Sequence, residues 1–101
     1  MSVPDRDRTP KFTAAQGQYL AFIYAYATIH RQAPAEADLR RFFRVTAPSV
    51  HRMVIELEQR GFIRRVPRTA RSIELLVPPE ELPILRDAAT TRPIRTSVQR
   101  Y

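Results

Sequence analysis

The residues best suited to chemistry in this chain are arginines, and most of them lie in one stretch. Between Arg40 and Arg71 there are nine arginines and only two acidic residues, Glu56 and Glu58. The charge of this stretch is therefore +7, which equals the formal net charge of the whole chain. A guanidinium group presents planar, paired donors that match a phosphate or the N7 and O6 edge of guanine. Positive charge clustered in this way indicates a nucleic-acid partner.

Composition disfavours several other classes of function. The chain has 101 residues, 44% of them hydrophobic, which predicts one small globular domain. It contains no cysteine, which argues against a disulfide framework, a thiol nucleophile or a zinc finger. Its two histidines, His30 and His51, lie on different predicted helices with no carboxylate at ligand spacing. We therefore expect no enzyme, no metal and no cofactor, and no small-molecule ligand is evident.

The preference for arginine over lysine has a second explanation. Sixteen of the seventeen basic residues are arginine, and the remaining one is Lys11. A GC-rich genome would also produce this ratio, but it would not place the arginines in one stretch.

Hydropathy along the chain gives an expectation for the compartment. The first ten residues include Asp5 and Asp7 and have no apolar run, so we expect no signal peptide. The longest apolar stretch, from Tyr19 to Ile29, is shorter than the ~20 residues that span a bilayer. These features predict a soluble protein of the bacterial cytoplasm, associated with the nucleoid and not with a membrane.

The elements that must position the arginines begin with a long helix. Thr13 is a suitable N-cap, and a helix is predicted from about residue 14 to residue 31, before the break at Gln32-Ala33-Pro34. Large apolar residues lie on nearly every side of it: Tyr19, Leu20, Phe22, Ile23, Tyr24 and Tyr26. Such a helix is usually buried on more than one side. A dimer partner or the C-terminal tail could cover it, and the remaining alternative is a flat aromatic surface without a partner.

Two shorter helices are predicted to follow. The first runs from about Glu36 to Phe43, and a tight connection leads to Thr46, which can cap the third helix. Pro48 lies in the first turn of that helix, where a missing N–H has no consequence. The third helix is predicted to end near residue 60, with Gly61 in the left-handed position beyond it. Its core stripe consists of Val50, Met53, Val54 and Leu57.

The periodicity then changes to that of strands. Residues 62–66 and 72–77 are predicted to pair as a hairpin around the loop 67–71. Three helices followed by this hairpin predict a mainly α fold with a small β-hairpin. This is a winged helix-turn-helix, a three-helix bundle plus a two-stranded wing.

The organisation expected from this reading has three parts. Residues 1–11 form an N-terminal arm, residues 12–77 the winged helix domain, and residues 78–101 a proline-containing basic C-terminal tail. In the tail, Leu82, Ile84 and Leu85 could dock a short segment onto the body. Residues 86–101 are predicted to be mobile.

Four segments, in order, resemble the DNA-binding domain of LexA repressors. They are Phe12-Thr13-Ala14-Ala15-Gln16, Glu36-Ala37-Asp38-Leu39, Arg60-Gly61-Phe62-Ile63 and Arg71-Ser72-Ile73-Glu74-Leu75-Leu76. The segment from Val45 to Ile63 is also similar to winged-helix regulators of the MarR kind. The resemblance implies binding of double-stranded DNA, with the third helix in the major groove and the wing along the backbone or minor groove.

The chain departs from the LexA pattern in two respects. The third helix of that family commonly begins Ser-Pro-Asn, whereas here Pro48 is displaced by one position and Ser49-Val50-His51 follows. The base preference of the family is therefore not carried over. The peptidase domain with its Ser/Lys dyad and an Ala-Gly cleavage site are also missing, so we do not expect self-cleavage.

Five residues near the start of the third helix are predicted to contact DNA: Thr46, Pro48, Ser49, His51 and Arg52. In helix-turn-helix proteins this end of the helix meets the base edges. Arg52 is the candidate for a bidentate contact with guanine, and its alternative is a phosphate contact or a solvated side chain. The hydroxyl groups of Thr46 and Ser49 could equally cap the helix or contact phosphate. His51 could donate to DNA or be an ordinary exposed histidine.

Outside that helix, the predicted contacts are Arg44, Arg65, Arg68, Thr69 and Arg71. Arg68, Thr69 and Arg71 would form the wing tip, where arginines can enter a narrow minor groove or hold phosphates. A solvated charged loop is the alternative. Because alternate residues of a strand face opposite sides, we expect only one of Arg65 and the preceding arginine to reach DNA.

These expectations favour a sequence-specific transcriptional regulator that binds double-stranded DNA as a homodimer. A single winged helix buries little surface for a specific site, and a dimer would double the contacts. The alternative is a winged helix that acts as a protein–protein adaptor or RNA-binding module, since this fold is widely reused.

Overall fold

A computed structural model describes residues 12–87 and 93–94 of the chain. Within them, three helices are followed by a small antiparallel hairpin. The elements are α1 (Ala14–His30), α2 (Glu36–Phe43), α3 (Ala47–Gln59), β1 (Ile63–Arg64), β2 (Glu74–Leu75) and a 3₁₀ turn (Pro79–Glu81). This order confirms the winged helix-turn-helix fold. The predicted N-terminal arm, residues 1–11, lies outside the described residues.

Helix α1 begins with a reciprocal cap. The Thr13 hydroxyl accepts from the Gln16 amide at 3.1 Å, and the Gln16 side chain accepts from the Thr13 amide at 2.9 Å. Gln16 is buried, and its amide group donates to Glu56 Oε2 at 2.8 Å, which ties the start of α1 to α3. The helix ends at Arg31, which takes up the left-handed conformation with φ 60°. No helix in the described part of the chain is long and apolar enough to cross a membrane.

The core lies between the three helices and the wing. Its largest fully buried side chains have no exposed surface or almost none, and they come from all three helices and β1: Leu20, Ile23, Leu39, Val50, Val54, Leu57 and Ile63. The predicted core stripe of α3 is therefore confirmed at Val50, Val54 and Leu57, while Met53 is half-buried. Burial of this stripe fixes which side of α3 remains at the surface.

The wing is shorter than the sequence predicts. Its strands have two residues each, paired in the register Ile63 to Leu75 and Arg64 to Glu74. Within the predicted loop 67–71, two arginines have left-handed backbones, Arg68 with φ 62° and Arg71 with φ 57°. Gly61, with φ 78°, supplies the predicted left-handed turn into β1.

The serine at the end of the wing loop holds the loop closed. The Ser72 hydroxyl accepts from the Val66 amide at 3.0 Å and lies 2.9 Å from the Thr69 carbonyl oxygen, to which it can donate. The Thr69 amide donates to the Val66 carbonyl at 3.2 Å. These bonds replace the longer strand ladder that the sequence predicts.

The C-terminal segment covers the side of α1 that faces away from the core. Leu85 is buried against Ala21 and Ala25, in a cluster separate from the main core. The Gln18 side chain donates to the Ile84 carbonyl and accepts from the Arg86 amide, both at 2.8 Å. The sequence leaves three explanations for the apolar surface of α1: a dimer partner, the C-terminal tail or no cover at all. The structure shows that the C-terminal segment covers part of it.

Part of the predicted mobile tail also belongs to this packed segment. Arg86 and Pro93 form an antiparallel bridge, and the Ile94 amide donates to the Leu85 carbonyl at 2.7 Å. The expectation of mobility from residue 86 onward is thus not met at residues 86, 93 and 94. Residues 88–92 and 95–101 lie outside the described residues.

Candidate nucleic-acid interface

The hydroxyl groups at the start of α3 are used to begin the helix. The Thr46 hydroxyl accepts from the Ser49 amide at 3.3 Å and donates to the Ser49 hydroxyl at 3.0 Å. Pro48 follows in the first turn and is exposed. Of the alternatives left by the sequence for Thr46 and Ser49, the capping geometry is present. It gives the first turn of α3 a fixed and exposed surface.

Two predicted contact arginines lie near that turn with no hydrogen-bond or ionic partner within the described residues. Arg52 is exposed on α3, four residues beyond Pro48 and therefore on the same helix face. Arg44 ends α2 in the left-handed conformation, with φ 56°, and is also exposed. Both guanidinium groups are available to a ligand.

His51 faces α2. Its Nδ1 atom lies 3.3 Å from both carboxylate oxygens of Glu36, the first residue of α2. The His51 side chain is 58% exposed, so solvent still reaches it. This contact links the starts of the two helices, which the sequence reading of His51 does not anticipate.

Arg64 in β1 and Arg65 directly after it are paired with carboxylates. The Arg65 side chain is only 15% exposed, and its Nε atom donates to Glu58 Oε1 of α3 at 3.1 Å. Arg64 bonds Glu74 Oε1 on the opposite strand, through Nε at 3.0 Å and Nη2 at 2.7 Å. The two side chains thus diverge, as strand alternation predicts, and each already has a partner.

The tip of the wing is formed by Arg68 and Thr69. Both are exposed, and the Thr69 hydroxyl lies 3.4 Å from the Pro67 carbonyl oxygen, a weak local bond. Arg68 has no ionic partner in the part of the chain that the structure describes. Its side chain is therefore free at the outer end of the wing.

Arg71, predicted to be part of that tip, turns back onto the helices. Its Nη1 atom donates to the Tyr26 hydroxyl at 3.1 Å, the Ala33 carbonyl at 3.1 Å and Asp38 Oδ2 at 3.2 Å. The guanidinium carbon also lies 5.8 Å from the centre of the Tyr26 ring. These contacts span α1, the α1–α2 turn and α2.

Asp38, which the sequence analysis does not single out as a site residue, receives Arg71. Its side chain is 10% exposed and accepts from the Ala35 amide at 2.8 Å and from Arg41 Nη2 at 2.8 Å, in addition to Arg71. Burial acts to raise the pKa of this carboxyl, but the Ala35 hydrogen bond, Arg71 and Arg41 outweigh it, so the pKa is lowered. The available signal was local: an acid three residues after Ala35 suits the first turn of a helix.

The structure brings the wing and α3 together around a crevice of about 380 Å³. Several predicted site residues line it: His51, Arg65, Arg68, Thr69 and Arg71. Glu36 lies in the same wall, so the crevice is not purely positive. The other predicted site residues do not line the crevice and form a separate surface around the start of α3. They are Arg44, Thr46, Pro48, Ser49 and Arg52. The predicted site is thus two neighbouring surfaces.

Within the residues described, no group of three or more His, Asp or Glu side chains is placed to hold a metal ion. The polar groups of the two surfaces are arginine, hydroxyl, imidazole and backbone groups, together with the carboxylate of Glu36. Such groups bind anions and base edges.

The chain matches one family model, that of the MarR family, over residues 12–70. This range includes α1, α2, α3, β1 and most of the wing loop. It also includes nearly every predicted contact residue, with Arg71 just beyond its end.

Curated relatives are repressors. The chain is 34% identical over 74 residues to the LexA repressor of Thermosipho africanus, which covers 73% of this chain and 37% of that protein. It is 35% identical over 71 residues to the LexA repressor of Erythrobacter litoralis, covering 69% and 30% respectively. The corresponding protein of Magnetococcus marinus is 34% identical over 82 residues, covering 80% and 36%. The chain thus spans about a third of the length of these relatives.

Proposed function

The chain belongs to the MarR family, and we propose that it is a transcriptional regulator that binds specific sequences of double-stranded DNA. In this proposal α3 enters the major groove, and the wing lies along the backbone or the minor groove. The similarity to repressors that are about 35% identical over most of this chain supports a DNA-binding role. A duplex partner would place the protein in the bacterial cytoplasm.

One observation carries the proposal. Arg52 is exposed on α3, one turn from the capped start of the helix, and has no partner among the described residues. A helix that presents its N-terminal half to the major groove brings such a side chain to the base edges. We assign Arg52 to a bidentate contact with guanine, which is worth about 1–3 kcal/mol of discrimination.

The other predicted residues take different roles in this proposal. Arg44 and Arg68 are free and exposed, and we assign them to backbone phosphates on either side of α3. Thr46, Pro48 and Ser49 set the first turn against the groove, and His51 and Thr69 border the crevice that would face the DNA backbone. Arg65 and Arg71 support the wing from within.

We further propose that the protein binds as a homodimer to a site with two-fold symmetry. A specific interface usually buries more surface than one small module offers. Two modules related by a two-fold axis would read half-sites about one helical turn apart. The apolar character of α1 contributes less to this proposal than the sequence alone indicates, because the C-terminal segment covers Ala21 and Ala25.

Selection from a random duplex pool at about 150 mM salt tests the proposal, with R52A as the matched variant. We expect the parent to enrich one motif with two-fold symmetry and R52A to lose preference at one base position in each half-site. Enrichment without symmetry would contradict the dimer while supporting sequence-specific binding. Failure to retain any duplex, together with binding of single-stranded RNA or of a protein partner, would favour an adaptor or RNA-binding module.

A further inference from the structure

We propose that Arg71 is a positioning residue, which holds the wing loop against α1 and α2, and that it does not contact DNA. This inference rests on the proposed function, since it assigns a role within the DNA-binding surface. It separates Arg71 from Arg68, which lies three residues earlier in the same loop.

The first argument is the number of elements that Arg71 joins. Its Nη1 atom reaches Tyr26 in α1, Ala33 in the α1–α2 turn and Asp38 in α2, all within 3.2 Å. Arg71 itself lies between the wing tip and β2, so one side chain connects the wing to most of the helical body. A phosphate would have to displace three acceptors to engage this nitrogen.

The second argument is how short the paired strands of the wing are. Each strand has two residues, so the ladder supplies few hydrogen bonds. Isolated hairpins of this size are not stable alone and depend on packing against other elements. Ile63 and Ile73 anchor the wing in the core, and the Ser72 hydroxyl closes the loop on itself. The Arg71 contacts tie that closed loop to α1 and α2.

The third argument is that the receiving carboxylate is itself fixed. Asp38 Oδ2 also accepts from the Ala35 amide at 2.8 Å, and Asp38 Oδ1 accepts from Arg41 at 2.8 Å. The carboxylate is therefore held in one orientation, and Arg71 docks onto a preformed acceptor. Burial acts to raise the pKa of this carboxyl, but the same hydrogen-bond and arginine partners outweigh it, so the pKa is lowered.

The two loop arginines form a natural comparison. Arg68 and Arg71 have the same side chain and nearly the same left-handed backbone, with φ 62° and 57°. Arg68 is exposed and has no ionic partner among the residues described, whereas Arg71 is bonded to the body. A difference between variants at these two positions therefore reports on the contacts and not on residue type or backbone strain.

The decisive variant is Asp38→Asn, because the two possible roles of Arg71 predict opposite signs. Asparagine keeps an oxygen that can accept from the Ala35 amide, but it removes the charge that holds Arg71. If Arg71 binds phosphate, D38N frees it, adds one positive charge and tightens DNA binding. If Arg71 positions the wing, D38N weakens DNA binding despite the added charge.

The experiment measures the affinity of the full chain for a duplex enriched by selection, between 50 and 200 mM salt. The variants are R71Q, R68Q, D38N and the double variant R71Q/D38N. The matched control is E74Q, which makes the same change in charge at the exposed Arg64–Glu74 pair. We expect R71Q and D38N each to weaken binding by about threefold or more, as loss of a wing phosphate contact would. The double variant should be no weaker than R71Q alone, and E74Q should bind as the parent or tighter.

Amide chemical shifts supply a readout that does not depend on DNA. D38N and R71Q should shift the amides of residues 65–73 while the rest of the spectrum shows an intact fold, and R68Q should shift only its neighbours. Tighter binding by D38N, or unchanged wing amides in R71Q, would overturn the positioning role. If the parent binds no duplex, the proposed function fails, and the amide shifts alone still decide whether Arg71 places the wing.

Discussion

The arginines of the helical part of this protein and those of its wing differ in what their guanidinium groups contact. Among the described residues, the helical set contains one ion-paired member, Arg41, which bonds Asp38. The unpaired members are Arg31, Arg40, Arg44, Arg52 and Arg60. In the wing the proportions are reversed: Arg64, Arg65 and Arg71 are paired with carboxylates, and Arg68 is the exception.

This difference changes the meaning of the positive charge. An arginine paired with a carboxylate contributes less to the field outside the protein and must break a bond to reach a phosphate. The charge of the wing is therefore used mainly to build and place the wing, and the charge of the helical part is available to a ligand. Recognition of a specific DNA sequence would then depend on the helices. The wing would contribute one free arginine and a surface that fits the duplex.

The strongest challenge to this comparison is Arg52→Ala. Removal of a bidentate contact to guanine should cost about 1–3 kcal/mol of discrimination between the preferred base pair and the others. Affinity for unrelated duplexes should change much less, because a base contact contributes little to non-specific binding. Competition binding with duplexes that differ at single positions measures this quantity.

Arg60→Ala is the matched control for that experiment. Arg60 lies at the opposite end of α3 and is exposed, so its loss should leave base preference intact. If R52A weakened all duplexes equally, Arg52 would be a phosphate contact. Base recognition would then have to be assigned to other residues of α3.

The second largest expected effect concerns the capped start of α3, where the Thr46 and Ser49 side chains are hydrogen-bonded to each other. Thr46→Ala removes the cap acceptor for the Ser49 amide and the donor to the Ser49 hydroxyl. Loss of such a cap lowers the free energy of unfolding by about 1 kcal/mol. Urea unfolding should show this loss for T46A and almost none for T46S, which keeps a capping hydroxyl. Equal destabilisation by both variants would show that the hydroxyl is not what matters.

The capping residues also show why much of the fold can be predicted from the sequence. Thr13, Thr46 and Gly61 act on amides and carbonyls within a few residues, so their types and spacing are sufficient to place the helix ends. The bounds of α2 also agree with the prediction, although its N-cap residue, Ala35, makes no side-chain cap hydrogen bond. Local chemistry of this kind is visible along the chain.

The partners of the wing arginines could not be predicted in the same way. Arg71 bonds residues 33 and 45 positions away, and Arg64 bonds one 10 positions away across the hairpin. Such contacts depend on how the elements pack, which a count of charges does not contain. The strands were also predicted too long, since only two residues of each are paired as strands.

A smaller effect tests the free arginines of the two regions against each other. Arg44→Ala and Arg68→Ala should each remove about one phosphate contact, which lowers the salt slope by about 0.9. Between 50 and 200 mM salt this corresponds to about a 3.5-fold change in relative affinity. Arg65→Ala is the contrasting variant. The Arg65 side chain is bonded to Glu58, so its removal should leave the salt slope near that of the parent. A slope reduced as much by R65A would remove the distinction between free and paired arginines.

The pH dependence of stability tests whether the wing is held by charge. The pKa of the Asp38 carboxyl is lowered below its ordinary value of 3.8. A lowered pKa means that Asp38 contributes stability above its unfolded pKa, and that this contribution is lost as pH falls through the folded value. We expect the parent to unfold at a higher temperature than D38N near pH 6, with the difference narrowing below about pH 4. A difference that stays constant down to pH 2.5 would assign the effect to packing.

The smallest expected effect is that of Arg64→Ala on stability and on DNA affinity. We expect it to be close to zero. The pair of Arg64 with Glu74 is 63% and 58% exposed on the two side chains, so solvent screens the attraction. Exposed pairs of this kind contribute about 0–1 kcal/mol. Arg64→Ala should therefore change neither the free energy of unfolding nor the salt slope measurably, in contrast to Arg71→Gln, although both arginines are paired. A large loss of DNA affinity in R64A without loss of stability would mean that an exposed pair opens to bind phosphate. In that case, only burial of the partner, as at Asp38, would separate an arginine that builds the wing from one that binds DNA.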